Sequence, residues 1–239
     1  MITLLAGNAS DWTGPTGNNT YLLRGDPAVL IDAGVGRAGH VGAIAGALGD
    51  RDLGLVLITH HHVDHVAGVP ALRETWPRVV VRGGGAGEPL ADGELFAAGG
   101  AQLRAIHTPG HAPDHFCFFD ESSRDLYCGD LARTGGTVVI PASRGGSLRE
   151  YLRSLERIRD LAPARLLPAH GPPVDDPVRL IDEYVEHRRV RERQIVEALD
   201  AGCRTPAEIV TRVYPGLTPS LVPAAEETVR AHQQKLKEP

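Results

Sequence analysis

Short apolar runs, interrupted by glycine and proline, recur along the first two thirds of the chain. Continuous runs of this kind, rich in Val, Ile, Leu and Phe, are typical of buried strands. The strands that the pattern predicts lie at residues 2–6, 20–23, 28–31, 55–58, 79–81, 102–106, 116–119, 126–128 and 165–169. Residues 116–119 and 126–128 are expected to pair as a hairpin, and residues 69–76 are predicted to be helical.

Helical spacing dominates from Ser147 onward. Ser147 and Glu150 form a capping-box pattern, which predicts a helix that runs to about residue 160. Residues 178–199 also follow a helical period, Thr205 and the proline after it open another helix, and residues 224–236 predict a third. Because the composition changes after residue 173, we expect a first domain at residues 1–175 and a small helical domain at residues 176–239.

Composition and charge indicate a soluble enzyme. The 239 residues are 42% hydrophobic, which is enough for one substantial core and an appendage. No run approaches the roughly 20 apolar residues that span a bilayer, and the N-terminus does not have the pattern of a signal peptide. The three cysteines show no C-x-x-C spacing and suit a reducing compartment. We therefore expect a cytoplasmic protein without a membrane partner.

The densest chemical signal lies directly after the strand predicted at residues 55–58. His60, His62, Asp64 and His65 fall within one short turn there. Imidazole and carboxylate groups are preferred ligands of zinc and its first-row neighbours. His60 and His62 are two residues apart, so an extended backbone projects them to the same side. The turn therefore predicts a metal site.

Three further candidate ligands lie where loops are predicted. His111, Asp130 and His170 each follow an apolar, β-prone segment and stand beside a glycine or proline. Loops at the carboxyl ends of strands are where α/β folds collect functional groups. We therefore expect these three side chains to join the histidine-rich turn.

The donor set is large enough for two cations. His60, His62 and His111 supply three nitrogens for one metal, Asp64, His65 and His170 supply a second trio, and Asp130 has two oxygens with which to bridge. Two cations roughly 3.5–4 Å apart can share a hydroxide whose pKa is near 7. That bridging hydroxide would attack a carbonyl or phosphoryl centre, with Asp64 acting as both a ligand and a proton acceptor.

These motifs resemble those of the metallo-β-lactamase superfamily. The resemblance rests on residues 59–65, Thr108-Pro109-Gly110-His111, Gly129-Asp130 and Pro168-Ala169-His170-Gly171, in that order. It implies an α/β (α+β) fold, specifically an αβ/βα sandwich, and two Zn²⁺ per chain, with Fe or Mn as other possible metals. β-Lactamases of this family usually carry Cys or Ser where this chain has Asp130, so antibiotic hydrolysis is not expected. Asp-bridged members include thiolesterases, lactonases, ribonucleases and phosphodiesterases.

The C-terminal helices resemble the winged-helix tail of the family's endoribonuclease-like branch. Four arginines in this region, Arg188, Arg189, Arg191 and Arg193, have two interpretations. They could bind the phosphates of single-stranded RNA, or they could form a solvated helix face interlaced with Glu186 and Glu192. In glyoxalase II-like relatives, a helical tail instead helps to form the substrate pocket or subunit contacts, so a homo-oligomer is possible. The net charge of −5 does not favour RNA.

Three functions remain open from the sequence. The first is a dinuclear zinc hydrolase that acts on a thioester, an ester or an RNA phosphodiester. The second is a mononuclear iron oxidoreductase similar to the persulfide dioxygenases, with iron held by the positions of His60, His111 and Asp130. The third, a nucleic-acid-binding module with structural metals, ranks last because structural zinc sites are usually closed and four-coordinate.

Overall fold

The computed structural model describes residues 1–237 and contains two five-stranded sheets. The first sheet consists of β1 (Ile2–Leu5), β2 (Asn19–Leu23), β3 (Ala28–Ile31), β4 (Leu53–Leu57) and β5 (Val80–Arg82), in that order. The second consists of β6 (Leu95–Ala98), β7 (Ala101–His107), β8 (Phe116–Asp120), β9 (Asp125–Gly129) and β10 (Arg165–Pro168), in the order β10-β9-β8-β7-β6. All nine predicted strands and the predicted hairpin are present, with ends shifted by a few residues at most.

Seven helices accompany the sheets within the described residues. They are α1 (Ala38–Leu48), α2 (Val63–Val66), α3 (Val69–Thr75), α4 (Leu148–Leu161), α5 (Pro177–Asp200), α6 (Pro206–Val213) and α7 (Val222–Lys237). The side chain of Ser147 caps α4 by accepting a hydrogen bond from the Glu150 amide, and Thr205 and Glu208 complete a capping box on α6. The helices predicted from these caps are therefore confirmed.

The molecule has four layers. The core between the two sheets contains Tyr21, Ile31 and Leu57 from one sheet and Phe118 and Tyr127 from the other. Helices α1 and α3 cover the outer face of the first sheet, and α4 and α5 cover that of the second. This arrangement is the predicted αβ/βα sandwich.

Helix α1 and strand β6 are among the elements that were not predicted from the sequence. Helix α1 contains Gly39, Gly42 and Gly46, which lower its intrinsic helix propensity. Its buried side chains, Ile44 and Leu48, pack against the first sheet, so tertiary contacts stabilise a helix that local preference does not favour. Strand β6 is only four residues long and pairs antiparallel with β7.

Helix α5 belongs to two packing units. Its first half contributes Leu180, Ile181 and Tyr184 to the core beside the second sheet. Its second half contributes Ile195 and Ala198 to a separate cluster with α6 and α7. The predicted boundary at residue 175 precedes α5, which connects the sandwich to the C-terminal helices. None of the helices within residues 1–237 combines the length and the apolar character that crossing a bilayer requires.

Candidate metal centre

The histidine-rich turn connects β4 to α2. Strands β3, β4 and β5 are parallel, so the carboxyl ends of β3 and β4 lie at one edge of the sheet. His60 follows β4 by three residues, and His62 stands at the N-terminus of α2 with an extended backbone, φ −63° and ψ 145°. Asp64 and His65 then lie on the single turn of α2. The start of the helix thus separates the His60 and His62 pair from the Asp64 and His65 pair.

Two glycines shape the backbone directly before the candidate ligands His111 and Asp130, which follow strands of the second sheet. Gly129, directly before Asp130, has φ +49°, and a Cβ there would lie 2.8 Å from Nε2 of His115. Gly110, directly before His111, has φ +137°, and a Cβ there would lie 2.3 Å from the Cα of Tyr151. A side chain at either position would collide with the site or with α4. His170 follows β10, which is parallel to β9.

The first predicted trio converges. Nε2 of His60 and Nε2 of His111 each lie 2.9 Å from Nδ1 of His62. A tetrahedral zinc ion with bonds of about 2.0–2.1 Å would set its nitrogen ligands about 3.3 Å apart. The three nitrogens are therefore close to the spacing that one cation requires.

The second trio converges beside the first. Oδ2 of Asp64 lies 3.6 Å from Nε2 of His65 and 3.5 Å from Nε2 of His170. Asp130 faces both trios. Its Oδ1 lies 3.2 Å from Nε2 of His170, and its Oδ2 lies 3.5 Å from Nε2 of His111. All seven predicted ligands thus meet in one cluster, with the Asp130 carboxylate between the two sets of donors.

Unpartnered polar atoms support a cation site. Nε2 of His65 is buried and has no hydrogen-bond partner within the described residues, and buried Oδ1 of Asp130 has no well-aligned hydrogen bond there, although it lies 3.2 Å from Nε2 of His170. Burying such atoms without partners is costly, and native structures rarely tolerate it without a water or an ion. The imidazole and carboxylate donors are also the types that first-row divalent cations prefer. The residues present therefore fit a pair of such cations.

Electrostatics keeps the first trio neutral. Burial, together with the neighbouring His65, lowers the pKa of His60 well below its ordinary value. Burial and the proximity of His111 lower the pKa of His62 to about 4, and burial also lowers the pKa of His111. Because metal ligation requires neutral imidazole, these nitrogens are available to a cation at neutral pH.

The second trio is charged in the metal-free protein. Burial disfavours the imidazolium of His65, but the carboxylates of Asp32 and Asp130 outweigh it and raise the pKa of His65 to about 9. Against the same effect of burial, Asp130 and Asp64 raise the pKa of His170 to about 10. Burial alone would raise the pKa of Asp64, but His170 and His65 lower it to about 2. By the same balance, His170 and His65 keep the pKa of Asp130 well below its usual value.

Several supporting residues were missed from the sequence. Asp32, after β3, accepts hydrogen bonds from the Thr59 amide and hydroxyl, and its Oδ2 lies 2.8 Å from Nδ1 of His65. Nδ2 of Asn18 donates to Oδ2 of Asp64 at 3.0 Å. The signal for Asp32 was its position directly after a predicted strand and two residues before Gly34. Asn18 gave no comparable signal, since it lies far from the histidine-rich turn along the chain.

His115 forms a hydrogen bond with the backbone of Asp130. Nε2 of His115 accepts a hydrogen bond from the Asp130 amide at 3.1 Å, so its Nδ1 carries the proton and donates to the Thr108 hydroxyl at 2.8 Å. His115 can therefore orient the segment that carries Asp130. His61 instead contacts Asp114 at 2.6 Å and lines the cleft without joining the donor set.

A cleft of about 570 Å³ opens onto the cluster. The candidate ligands His62, Asp64, His111, Asp130 and His170 line it. Its walls carry apolar and cationic side chains, among them Trp12, Val63, Val139, Pro141, Arg133 and Arg144. Trp12 is 50% exposed and Val63 is 71% exposed. Such exposed apolar side chains at the mouth of a polar site are typical of a ligand-binding cleft.

The arginine-rich part of α5 agrees with the solvated-face interpretation for only two of its four arginines. Arg188 is buried, donates to the Val138 carbonyl and stacks over the Tyr151 ring. The guanidinium of Arg191 lies 3.8 Å from the centre of the Tyr214 ring. Arg189 and Arg193 are on the surface, and Arg193 pairs with Glu186. Two of the four arginines are thus packing residues, which the local charge pattern could not reveal.

Family comparisons agree with this architecture. Residues 13–98 and 80–170 match the metallo-β-lactamase superfamily. The chain belongs to the metallo-β-lactamase superfamily. Residues 205–238 match the β-lactamase-associated winged helix domain, so the predicted winged-helix-like tail is confirmed.

Individual relatives span different shares of this superfamily chain. The lactamase-like protein aptB of Emericella nidulans is 37% identical over 211 residues, which cover 84% of this chain and 65% of that protein. An atrochrysone carboxyl ACP thioesterase of Aspergillus fumigatus is 31% identical over 238 residues, covering 90% of this chain and 73% of the relative. The chain therefore spans about two thirds of the length of these relatives.

Solved structures agree on the fold. A crystal structure of a metallo-β-lactamase family protein from Thermus thermophilus superposes with a TM-score of 0.79 and 24% identity, covering 92% of this chain and 88% of that one. The similarity extends over both the sandwich and the C-terminal helices. At this identity it supports the fold alone.

Proposed function

We propose that this protein is a dinuclear metal-dependent hydrolase, with zinc as its metal, that cleaves a thioester or ester. The observation that most directly supports this proposal is the position of Asp130 between two donor trios, with one oxygen toward His170 and the other toward His111. Membership of the superfamily and similarity to a protein named as a thioesterase support an enzyme, and specifically a hydrolase.

The proposed ligand division follows the clusters. His60, His62 and His111 would hold one cation, Asp64, His65 and His170 the other, and Asp130 would lie between them. Bound cations would supply an acidified water and polarise the substrate carbonyl. Hydrogen bonds to other residues orient several of these side chains. Nδ1 of His111 donates to the Val139 carbonyl at 2.7 Å, which leaves Nε2 of that ring facing the cleft.

Asp64 is the proposed proton acceptor. Its carboxyl group is ionised at neutral pH, because its pKa is about 2 under the opposing effects of burial and the His170 and His65 rings. The Asn18 amide holds Oδ2, and the side chain lines the cleft where a substrate would enter. A carboxylate in this position can accept a proton from the attacking water and pass it to the leaving group.

The shape and lining of the cleft favour an acyl substrate over RNA. Trp12, Val63 and Val139 offer apolar surface to an acyl chain. Of the arginines that could have bound a phosphate backbone, Arg188 and Arg191 are engaged in packing contacts. The few aromatic side chains, 5% of the chain, also offer little surface for stacking bases.

The proposal includes the domain division and the location. We propose residues 1–175 as the catalytic domain and residues 176–239 as the winged-helix-like domain, and the separate apolar cluster of α5, α6 and α7 supports this division. A reducing, cytoplasmic environment is supported by Cys117 and Cys128, which lie on neighbouring strands and remain free. The number of subunits stays a prediction.

A hydrolysis panel on the metal-loaded protein tests the proposal. We expect turnover of acyl thioesters or esters, loss of turnover after chelation, and recovery with Zn²⁺, with two metal equivalents per chain by elemental analysis. His62→Ala should reduce turnover by several hundred-fold or more. His187→Ala, a histidine on α5 outside the donor set, is the matched control and should retain turnover.

Three outcomes would contradict the proposal. Cleavage of single-stranded RNA without cleavage of thioesters would give the site a nuclease function. One tightly bound iron together with persulfide-dependent oxygen uptake would indicate the dioxygenase alternative. Thioester turnover that survives in His62→Ala would show that the activity does not come from this cluster.

A further inference from the structure

Two arginines at the mouth of the metal cleft carry unneutralised charge. Arg133 and Arg144 both line the cleft, and neither forms an ion pair with any carboxylate among residues 1–237. Within residues 1–237, the Arg133 guanidinium donates one hydrogen bond, to the Trp12 carbonyl at 3.3 Å. Its buried Nε has no hydrogen-bond partner among the same residues. The chain as a whole has a net charge of −5, so two arginines without ion-pair partners beside one cleft are a local concentration of positive charge.

The nearby acidic side chains are already engaged. Asp64 and Asp130 are the carboxylates that line the cleft, and both belong to the donor set. Glu226 and Glu227, which line a neighbouring depression together with Arg144, both pair with Arg230 at 3.0 and 2.7 Å, and neither pairs with Arg144. The guanidinium groups of Arg133 and Arg144 therefore keep their N–H donors available to a ligand in the cleft.

The backbone that carries each arginine is held in place. The Tyr184 hydroxyl of α5 accepts from the Arg133 amide at 3.1 Å and donates to the Arg133 carbonyl at 2.9 Å. Arg144 ends a short 3₁₀ turn, Ala142–Arg144, in which the Ser143 amide donates to Glu227 of α7 at 2.8 Å. Anchored backbone reduces the entropy that a charged side chain loses when it binds a ligand.

Apolar surface lines the same cleft as the arginines and the donor residues. Trp12, Val139 and Pro141 line this cleft, and together with Arg144 they also line the neighbouring depression beside Glu226 and Glu227. A ligand that fills the cleft would therefore meet both apolar surface and positive charge. That combination matches an amphipathic molecule with a reactive carbonyl at one place and an anionic group at another.

We propose that Arg133 and Arg144 determine specificity by binding an anionic oxygen group, a carboxylate or a phosphate, on the substrate. The inference rests on the proposed hydrolase function. Guanidinium groups suit both anions because their planar N–H donors match the oxygen geometry. The anion belongs either to the acyl part or to the thiol part of a thioester, and both sources present the same chemistry to the arginines.

Two matched pairs of thioesters distinguish the sources. Glutaryl- and pentanoyl-N-acetylcysteamine differ in a terminal carboxylate on the acyl part. Pentanoyl-4′-phosphopantetheine and pentanoyl-pantetheine differ in a phosphate on the thiol part. We expect a KM for the charged member of one pair that is about five- to ten-fold lower than that for its neutral counterpart, as one charge-assisted contact at a solvent-accessible rim would provide. High salt should reduce the difference because it screens exposed charges.

Variants assign the preference to these side chains. In Arg144→Gln and Arg133→Gln, the charged-to-neutral ratio of KM should move toward one, whereas Arg144→Lys should retain part of the preference. Arg51→Gln is the control, since Arg51 is exposed and precedes the opposite end of β4. The inference is overturned if the wild type shows no charge preference in either pair, or if both glutamine variants keep it.

Binding measurements separate this inference from the proposed function. Thioether analogues, in which a CH₂ group replaces the reacting carbonyl, cannot be hydrolysed. Calorimetry with the charged and neutral analogues should reproduce the preference and its loss in Arg144→Gln. Charge-dependent binding without turnover of any thioester would support the arginine site and contradict the hydrolase. Turnover with no charge preference in kinetics or binding would support the hydrolase and contradict the arginine site.

Discussion

At the scale of single residues, the geometry of the donor cluster depends on partners that are not themselves among the seven candidate ligands. Asp32 holds both Thr59 and the ring of His65, and His115 holds the backbone of Asp130. Such partners set which ring nitrogen carries the proton and which one is free for a metal. Asp32 also has φ +60°, a conformation that Asp and Asn tolerate better than most residues.

Asp32→Asn should weaken metal binding without disrupting the backbone. Asn accepts the same φ, but it loses the charge that orients and stabilises His65, so we expect metal affinity to fall about 10- to 100-fold. Chelator competition measures the change. Asp114→Asn is the matched control, since Asp114 pairs with the exposed His61 outside the donor set. Equal losses in both variants would argue against a specific role for Asp32.

The two trios should differ in the protons that they release on metal binding. His65 and His170 have pKa values of about 9 and about 10 in the metal-free protein, so both are protonated at pH 7. Filling that trio must displace up to two protons, and its affinity should therefore fall as the pH falls. The first trio, in which the pKa of His62 is about 4, should release almost none. Calorimetry in buffers of different ionisation enthalpy counts the protons, and equal release at both sites would contradict this difference.

At the scale of elements, helix α4 and the His111 loop are held together very closely. The Ser147 amide donates to the Gly110 carbonyl at 2.8 Å, directly before α4 begins. Position 110 has no room for a side chain, because a Cβ would approach the Tyr151 backbone to 2.3 Å. The start of α4 therefore determines where His111 lies.

Gly110→Ala should destabilise the protein and displace His111. The added methyl group meets backbone atoms rather than a flexible side chain, and the φ of +137° strains an alanine. We expect a loss of about 2 kcal/mol or more in the free energy of unfolding, measured with denaturant. Gly46→Ala in α1 is the control, since a Cβ there meets nothing within 4 Å and should stabilise the helix by about 0.5–1 kcal/mol. Similar effects of both substitutions would contradict this account of Gly110.

At the scale of the whole molecule, the C-terminal helices hold the wall of the cleft. Tyr184 brackets Arg133, Arg188 donates to the Val138 carbonyl, and Glu227 accepts from the Ser143 amide. The next carbonyl along the wall, that of Val139, accepts from His111. The C-terminal helices therefore contact the cleft wall, and the wall in turn contacts His111 of the donor cluster. This structural role does not depend on binding RNA.

Arg188 variants measure this connection. Arg188→Ala leaves a cavity beside Tyr151 and removes the bond to Val138, so we expect a loss of about 2–4 kcal/mol in stability and a higher KM. Arg188→Met fills most of the volume and avoids a buried charge, so it should recover much of the stability. If the hydrogen bond from Arg188 to the Val138 carbonyl positions the cleft wall, KM should stay raised in Arg188→Met. A normal KM in that stable variant would limit Arg188 to a packing role.

The sequence alone was sufficient to predict that seven candidate ligands would lie together, and it predicted most elements. Spacing placed His60 and His62 on one side of an extended segment, and strand ends marked His111, Asp130 and His170, because apolar runs and turn residues report local structure directly. Whether those seven side chains bind metal stays a prediction. Helix α1 was missed because its glycines oppose helix formation locally, and only its packing on the first sheet stabilises it.

Tertiary structure alone decided which distant residues support the cluster and what the tail contacts. Asp32, Asn18 and the buried Arg188 act through contacts between segments far apart in sequence, and no periodicity or spacing encodes such contacts. A run of four arginines has the same local pattern whether its side chains face solvent or pack on Tyr151 and Tyr214. Short-range preferences are thus written along the chain, whereas burial and charge pairing arise only when the two sheets and the C-terminal helices close around the cleft.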